Sequence, residues 1–98
     1  MRLPFVLRPE ASRDVEQARD YFERQRPGLG QAFLNRLKDR LERLGEMPRM
    51  YPVVWRNIRA ARLRKFTYVV YYRVHRKSIE VIAVMHGSRD ASAWKSRA

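Results

Sequence analysis

The 98 residues carry 22 Lys/Arg against 10 Asp/Glu, a formal net charge of +12, with 45% hydrophobic residues, 33% charged residues and no cysteine. That length fits a single domain over residues 1–98, and the missing cysteines exclude a disulfide framework and the usual Cys-containing zinc site. No stretch approaches the ~20 apolar residues of a membrane span, and the start of the chain is too short and too Pro-punctuated for a signal peptide; a soluble, cytoplasmic protein without metal or other cofactor is expected.

Residues 3–8 alternate Leu3, Phe5 and Leu7 with Pro4, Val6 and Arg8, a short strand whose proline sits at its start, where a missing N–H is tolerated. Pro9 opens a helix, the position where its fixed φ helps. Ala11, Val15, Ala18 and Phe22 then line one helical face, and Pro27-Gly28 ends the element. A second helix over residues 29–47 buries Leu29, Phe33, Leu37, Leu41 and Leu44, with its Glu and Arg residues on a solvated side and Gly45 and Pro48 as the stop. The short Pro-Gly link makes the two a helical hairpin.

Residues 48–57 contain Pro48 and Pro52 and read as a loop, with Tyr51, Val53, Val54 and Trp55 lying back on the core. The period then changes to 2. Three strands are predicted, over residues 58–65, 66–75 and 79–85, with Arg76-Lys77-Ser78 as the last turn. Their links are too short for parallel crossovers, so they form an antiparallel meander. The third strand is apolar on both faces, with Ile79, Val81, Ala83 and Met85 set against Ile82 and Val84, which places it centrally. Residues 90–97 suit a short final helix capped by Asp90 or Ser92, with Trp94 inward. The predicted fold is therefore α+β, β-α-α-β-β-β(-α), with a helical hairpin on one face of an antiparallel sheet and the other face partly open.

The charge is unevenly placed. Residues 1–50 carry 11 Lys/Arg and 8 Asp/Glu, whereas residues 51–98 carry 11 and only Glu80 and Asp90. Eighteen of the cations are arginine, the side chain that grips phosphate or carboxylate bidentately, so an anionic partner is expected. Strand alternation puts Arg62 and Arg64 on one face, an anion clamp, and Arg59 opposite with Leu63. His86 is either a structural residue bonded to backbone or a catalytic or target-contacting one. Arg89-Asp90 reads equally as a local salt bridge and as an anchor for a partner. The two histidines have no metal-ligand spacing to an acid.

Two amphipathic helices followed by Arg59-Ala60-Ala61-Arg62-Leu63-Arg64-Lys65-Phe66-Thr67-Tyr68-Val69-Val70-Tyr71-Tyr72-Arg73-Val74, then Ile79-Glu80-Val81-Ile82-Ala83-Val84-Met85-His86 and Gly87-Ser88-Arg89-Asp90, resemble the body of a toxin of the RelE/ParE superfamily. Trp94-Lys95-Ser96-Arg97 is similar to the tail of many ParE-like members. The resemblance implies a toxic activity, a cognate small acidic antitoxin that wraps the hairpin and the basic sheet face, and a toxin–antitoxin hetero-oligomer. It leaves the target open between DNA gyrase, for the ParE-like branch, and ribosome-bound mRNA, for the RNA-cleaving RelE-like branch.

RNA cleavage needs a base, an acid and cations around one phosphate. RNA-cleaving relatives usually supply a Tyr or His near the C-terminus; here the last tyrosine is Tyr72, and the near-terminal aromatic is Trp94, whose indole donates a hydrogen bond but transfers no proton. That favours the ParE-like branch, a gyrase inhibitor without chemistry of its own. If the chain is instead a ribonuclease, His86, Arg62, Arg64 and Arg89 are its catalytic candidates. The residues expected to meet target or antitoxin are Arg59, Arg62, Arg64, Arg73, His86, Arg89 and Trp94. Composition alone also fits a third reading, a nucleic-acid-binding module.

Overall fold

A computed structural model describes residues 2–98. The elements run β1 (Phe5–Leu7), α1 (Pro9–Gln25), α2 (Leu29–Glu46), β2 (Val53–Trp55), β3 (Ile58–Arg62), β4 (Tyr68–Val74), β5 (Ile79–His86) and α3 (Ser92–Lys95). The five strands form one sheet in the order β1-β5-β4-β3-β2. Strands β2 to β5 pair antiparallel with their sequence neighbours, as the short links require. β1 differs: it lies parallel to β5, with Phe5 opposite Ile79 and Leu7 opposite Val81. More than seventy residues separate the two, so loop length places no restriction on their relative direction.

The segment expected as a loop over residues 48–57 holds an extra strand. Val53 pairs with Arg59 and Trp55 with Ile58, around a tight turn in which Arg56 takes a left-handed φ of 53°. Two-residue hairpins favour positive φ, but Arg56-Asn57 carries none of the usual glycine, and two prolines nearby hide the strand. β3 is shorter than its alternation suggests, because the chain leaves the sheet after Arg62.

The helical hairpin covers one sheet face. Ala11, Ala18, Phe33, Leu37, Leu41 and Leu44 meet Ala61, Leu63, Val70, Tyr72, Ile79, Val81 and Val84 in one buried cluster; each large side chain so placed is worth roughly 1.5–3 kcal/mol. Phe22, Phe33, Phe66 and Tyr68 extend it edge to edge, with Phe22 and Phe66 centroids 5.0 Å apart. Gly28 makes the interhelical turn at a φ of 90°, a conformation that favours glycine. The carboxylate of Glu23 accepts the N–H groups of Gly28 and Gly30, both at 3.0 Å, and so caps the start of α2. Gly45 does not stop α2 but lies within its last turn, because the backbone of Leu3 passes so close that a Cβ would sit 2.5 Å from the Leu3 carbonyl oxygen.

The other sheet face carries a second, smaller core of Ile58, Val69, Tyr71, Ile82, Ala83, Met85 and Trp94. A bulge in β5 splits its residues between the two. Tyr71 pairs with Ala83 while Tyr72 pairs with Val81, leaving Ile82 unpaired. An extra residue reverses the alternation beyond it. Ile79 and Val81 therefore share the helix side with Val84, and Ala83 and Met85 turn to the opposite side, in place of the single row that strict alternation predicts.

Candidate functional site

The seven residues singled out from sequence do not assemble into one site. Arg59 faces the helix side and is spent on structure: its guanidinium donates to the carbonyl of Tyr51 at 2.5 Å and of Arg49 at 3.3 Å, fastening the turn before β2. Arg62, exposed at the end of β3, borders a shallow hollow on the opposite face with Ala60, Val69, Tyr71 and Trp94. Arg64 does not share that face. In the β3–β4 connection Lys65 and Thr67 take positive φ values of 77° and 53°, each costing roughly 1–2 kcal/mol for a residue with a Cβ. The chain bends there, and Arg64 lines a separate hollow with Arg36, Asp39, Arg40 and Arg43 of α2.

Arg73 is likewise engaged. Its Nε donates to Asn57 at 3.0 Å, and Nη1 lies 3.4 Å from Glu80. Glu80 also faces His75 at 2.8 Å and Arg8 at 3.7 Å, so one carboxylate serves two guanidinium groups and an imidazole. Trp94 closes the second core: its ring stacks on Tyr71 at 4.4 Å and 16°, and meets Trp55 edge-on at 6.2 Å. Lys95 and Arg56 lie over the Trp55 ring at 5.3 and 4.3 Å. The face expected to be an open, guanidinium-lined surface is thus largely an aromatic one, roofed by α3. Asp90 Oδ1 accepts the Ser92 N–H at 2.8 Å at the start of that helix, and this bond holds the Asp90 carboxyl below its ordinary range.

His86 and Arg89 border a third hollow, against α1, with Asp14, Gln17, Tyr21 and Tyr68. The histidine is held on both sides. Nδ1 accepts the Ser88 N–H at 3.1 Å and lies 2.7 Å from the Ser88 hydroxyl. Nε2 is 3.0 Å from Thr67 Oγ1, whose own proton goes to the Phe66 carbonyl. This pattern puts the ring proton on Nε2. The imidazole pins the β3–β4 connection to the β5–α3 turn.

Phosphodiester cleavage requires proton donor, acceptor and cations within reach of one phosphate. Here His86 and Arg89 border one hollow, Arg62 a second and Arg64 a third. No group of three His, Asp or Glu among the described residues is placed to hold a metal ion, and no helix among them is long and apolar enough to cross a membrane. Sequence reasoning passed over Arg36, Arg40 and Arg43, reading them as solvated helix charges. Their spacing of four and three residues is the signal that puts them on one face.

Comparison with known proteins agrees with this architecture. A family model described as the ParE toxin of a type II toxin–antitoxin system, parDE, matches residues 5–91. Among solved structures, a chain of the chromosomal ParDE TA system from P. aeruginosa superposes with a TM-score of 0.76 at 14% identity, covering 86% of this chain and 95% of that one. No curated protein sequence matches. With the family model spanning the whole sheet and both long helices, the chain belongs to the ParE toxin family of type II toxin–antitoxin systems.

Proposed function

We propose that this protein is a cytoplasmic, single-domain toxin that inhibits DNA gyrase by binding it, and that a small acidic antitoxin neutralises it. The family match over residues 5–91 supports the ParE-type reading, and the solved neighbour comes from a ParDE system. The observation that carries gyrase binding over RNA cleavage is the arrangement around His86. Both ring nitrogens are occupied by Ser88 and Thr67, while Arg62 and Arg64 line hollows away from it. The chain thus presents binding surfaces rather than an assembled acid–base centre.

Charge and shape support the antitoxin. The net charge of +12 calls for an acidic partner, and large apolar side chains stand exposed at both sheet edges, Phe5 and Val6 on β1 and Val53 and Val54 on β2. An acidic segment, disordered alone, gains both ion pairs and apolar burial there.

The test sets purified protein in a gyrase supercoiling assay beside primer extension on translated mRNA. Inhibition of supercoiling with intact mRNA is the expected result. Cut mRNA with normal supercoiling would establish the ribonuclease reading instead, and inertness in both assays would remove each of them.

A further inference from the structure

α2 places Arg36, Arg40 and Arg43 at spacings of four and three residues, and the β3–β4 connection brings Arg64 beside them around a hollow whose remaining member is Asp39. Like charges at these helical spacings repel, so the row stands at a cost to the free fold. None of the ion pairs among the described residues involves these four arginines, whereas Arg8, Arg19, Arg73 and Arg97 each have a carboxylate. Arg40 is anchored by donating to the Tyr51 hydroxyl and by lying over its ring, yet its Nε is buried without a partner. A row of guanidinium groups, fixed at Arg40, therefore lines a concave surface with too little negative charge to balance it.

We propose that this hollow is a docking surface for the sugar–phosphate backbone of duplex DNA. From Arg36 to Arg43 the helix rises about 10 Å, the axial length over which one strand of a duplex presents about three phosphates. The lining is charged throughout, and a backbone offers charge without apolar anchors, whereas a docked peptide draws much of its affinity from such anchors. Single strands bind through exposed aromatic platforms, whereas no aromatic ring lines this hollow among the described residues and Tyr51, beneath Arg40, is part-buried. The surface is independent of the gyrase reading and adds to it: a toxin bound to gyrase by other residues can hold the enzyme's DNA through this row.

The test is fluorescence anisotropy of the purified full chain with two short labelled duplexes of unrelated sequence, titrated with salt. Both duplexes are expected to bind alike. Arg36→Gln/Arg43→Gln/Arg64→Gln should weaken binding about tenfold or more and reduce the log affinity–log salt slope by about 2–3. Arg13→Gln/Arg24→Gln/Arg26→Gln, which removes as many charges from exposed positions of α1 and its end, should keep most of the affinity. Circular dichroism checks folding. Should the α2 triple variant unfold, Arg43→Gln/Arg64→Gln, at two exposed positions, should still lower the slope by about 2. Equal losses in the α1 and α2 variants would reduce the effect to net charge and overturn the proposal. So would an α2 variant that binds DNA normally but loses binding to polyglutamate, the signature of an acidic protein partner. The duplexes contain no gyrase, so a failed DNA titration and a failed supercoiling assay are separate results.

Discussion

Arg97 reaches back from the end of the chain to hold both carboxylate oxygens of Asp14, at 2.7 and 3.0 Å. Asp14 Oδ2 also accepts the N–H of Val84 at 3.0 Å, and Arg97 donates to the carbonyl of Ile82 at 3.2 Å. β1 pairs with β5 only from Ile79 to Val81, so the ion pair covers the β5 edge where β1 runs out. Arg8 adds a bond to the Arg97 carbonyl, tying the C-terminus to the start of α1. Asp14→Ala leaves the Arg97 guanidinium with only the Ile82 carbonyl, and the Val84 N–H without a partner. Such a loss costs about 2–4 kcal/mol, which for a domain of this size lowers Tm by roughly 10 °C or more. Arg97→Ala, which leaves Asp14 bonded to Val84, should cost about half as much. Thermal unfolding of the two variants checks the order; equal Tm values would show that the strand-edge bond contributes nothing.

Trp94 and Tyr71 make the second core dependent on α3, an element of four residues with no stability of its own. Trp94→Ala removes the central side chain of that small core, a loss of about 3–5 kcal/mol. Trp94→Phe should retain most of the stack and cost less than half as much. Near-ultraviolet circular dichroism reads the coupled Trp94, Tyr71 and Trp55 rings directly. A Trp94→Ala spectrum unchanged from the parent would mean that the stack does not persist in solution.

Most of the fold was legible because its long elements announce themselves by period. The leucine row of α2 and the Ile/Val run of β5 each match the structure to within a residue or two. What escaped notice were features set by single residues against the pattern. The bulge at Ile82 adds one residue to an alternation that sequence takes as unbroken, and β2 starts directly after two prolines that read as a loop. The expected shared face of Arg62 and Arg64 was lost for a similar reason. Arg62 and Arg64 share a face only if β3 runs straight through residue 64, but it ends at Arg62, ahead of a turn in which Lys65 and Thr67 are left-handed. Neither residue type signals positive φ. Arg36, Arg40 and Arg43 stand as a row in the sequence, but only the fold shows that Arg64 lines the same hollow and that, among the described residues, no carboxylate forms an ion pair with them.

Tyr72 couples the fold to alkaline pH. Its ring is fully buried, its hydroxyl donates to the Pro48 carbonyl at 2.8 Å, and burial pushes its pKa from 10.0 up to about 12. The folded state therefore keeps a proton that the unfolded chain releases. Its stability contribution is complete below pH 10 and is lost as pH rises from 10 toward 12, by up to about 2–3 kcal/mol. Burial raises Tyr68 and Tyr71 as well, in the same sense. Urea unfolding across that range should show stability falling with pH in the parent and a shallower fall in Tyr72→Phe. At neutral pH the variant should lose only the hydroxyl's bond, about 1 kcal/mol. Parallel pH slopes would mean that Tyr72 ionises without unfolding.

His86 separates the two target readings with one substitution. As the pin between Thr67 and Ser88 it is an exposed side chain whose bonds water can replace, so His86→Ala should change stability by no more than about 0.5 kcal/mol. A gyrase inhibitor that uses His86 only as a pin should then keep its potency in the supercoiling assay within about twofold, the binding equivalent of that energy. A ribonuclease that uses the imidazole to move a proton should instead lose about 100- to 10,000-fold in cleavage rate. His86→Gln serves as a second variant, because its amide can still bond both hydroxyls while transferring no proton. Growth arrest that survives both substitutions is the expected outcome; arrest abolished by both, with the fold intact, would return the imidazole to the centre of the chemistry.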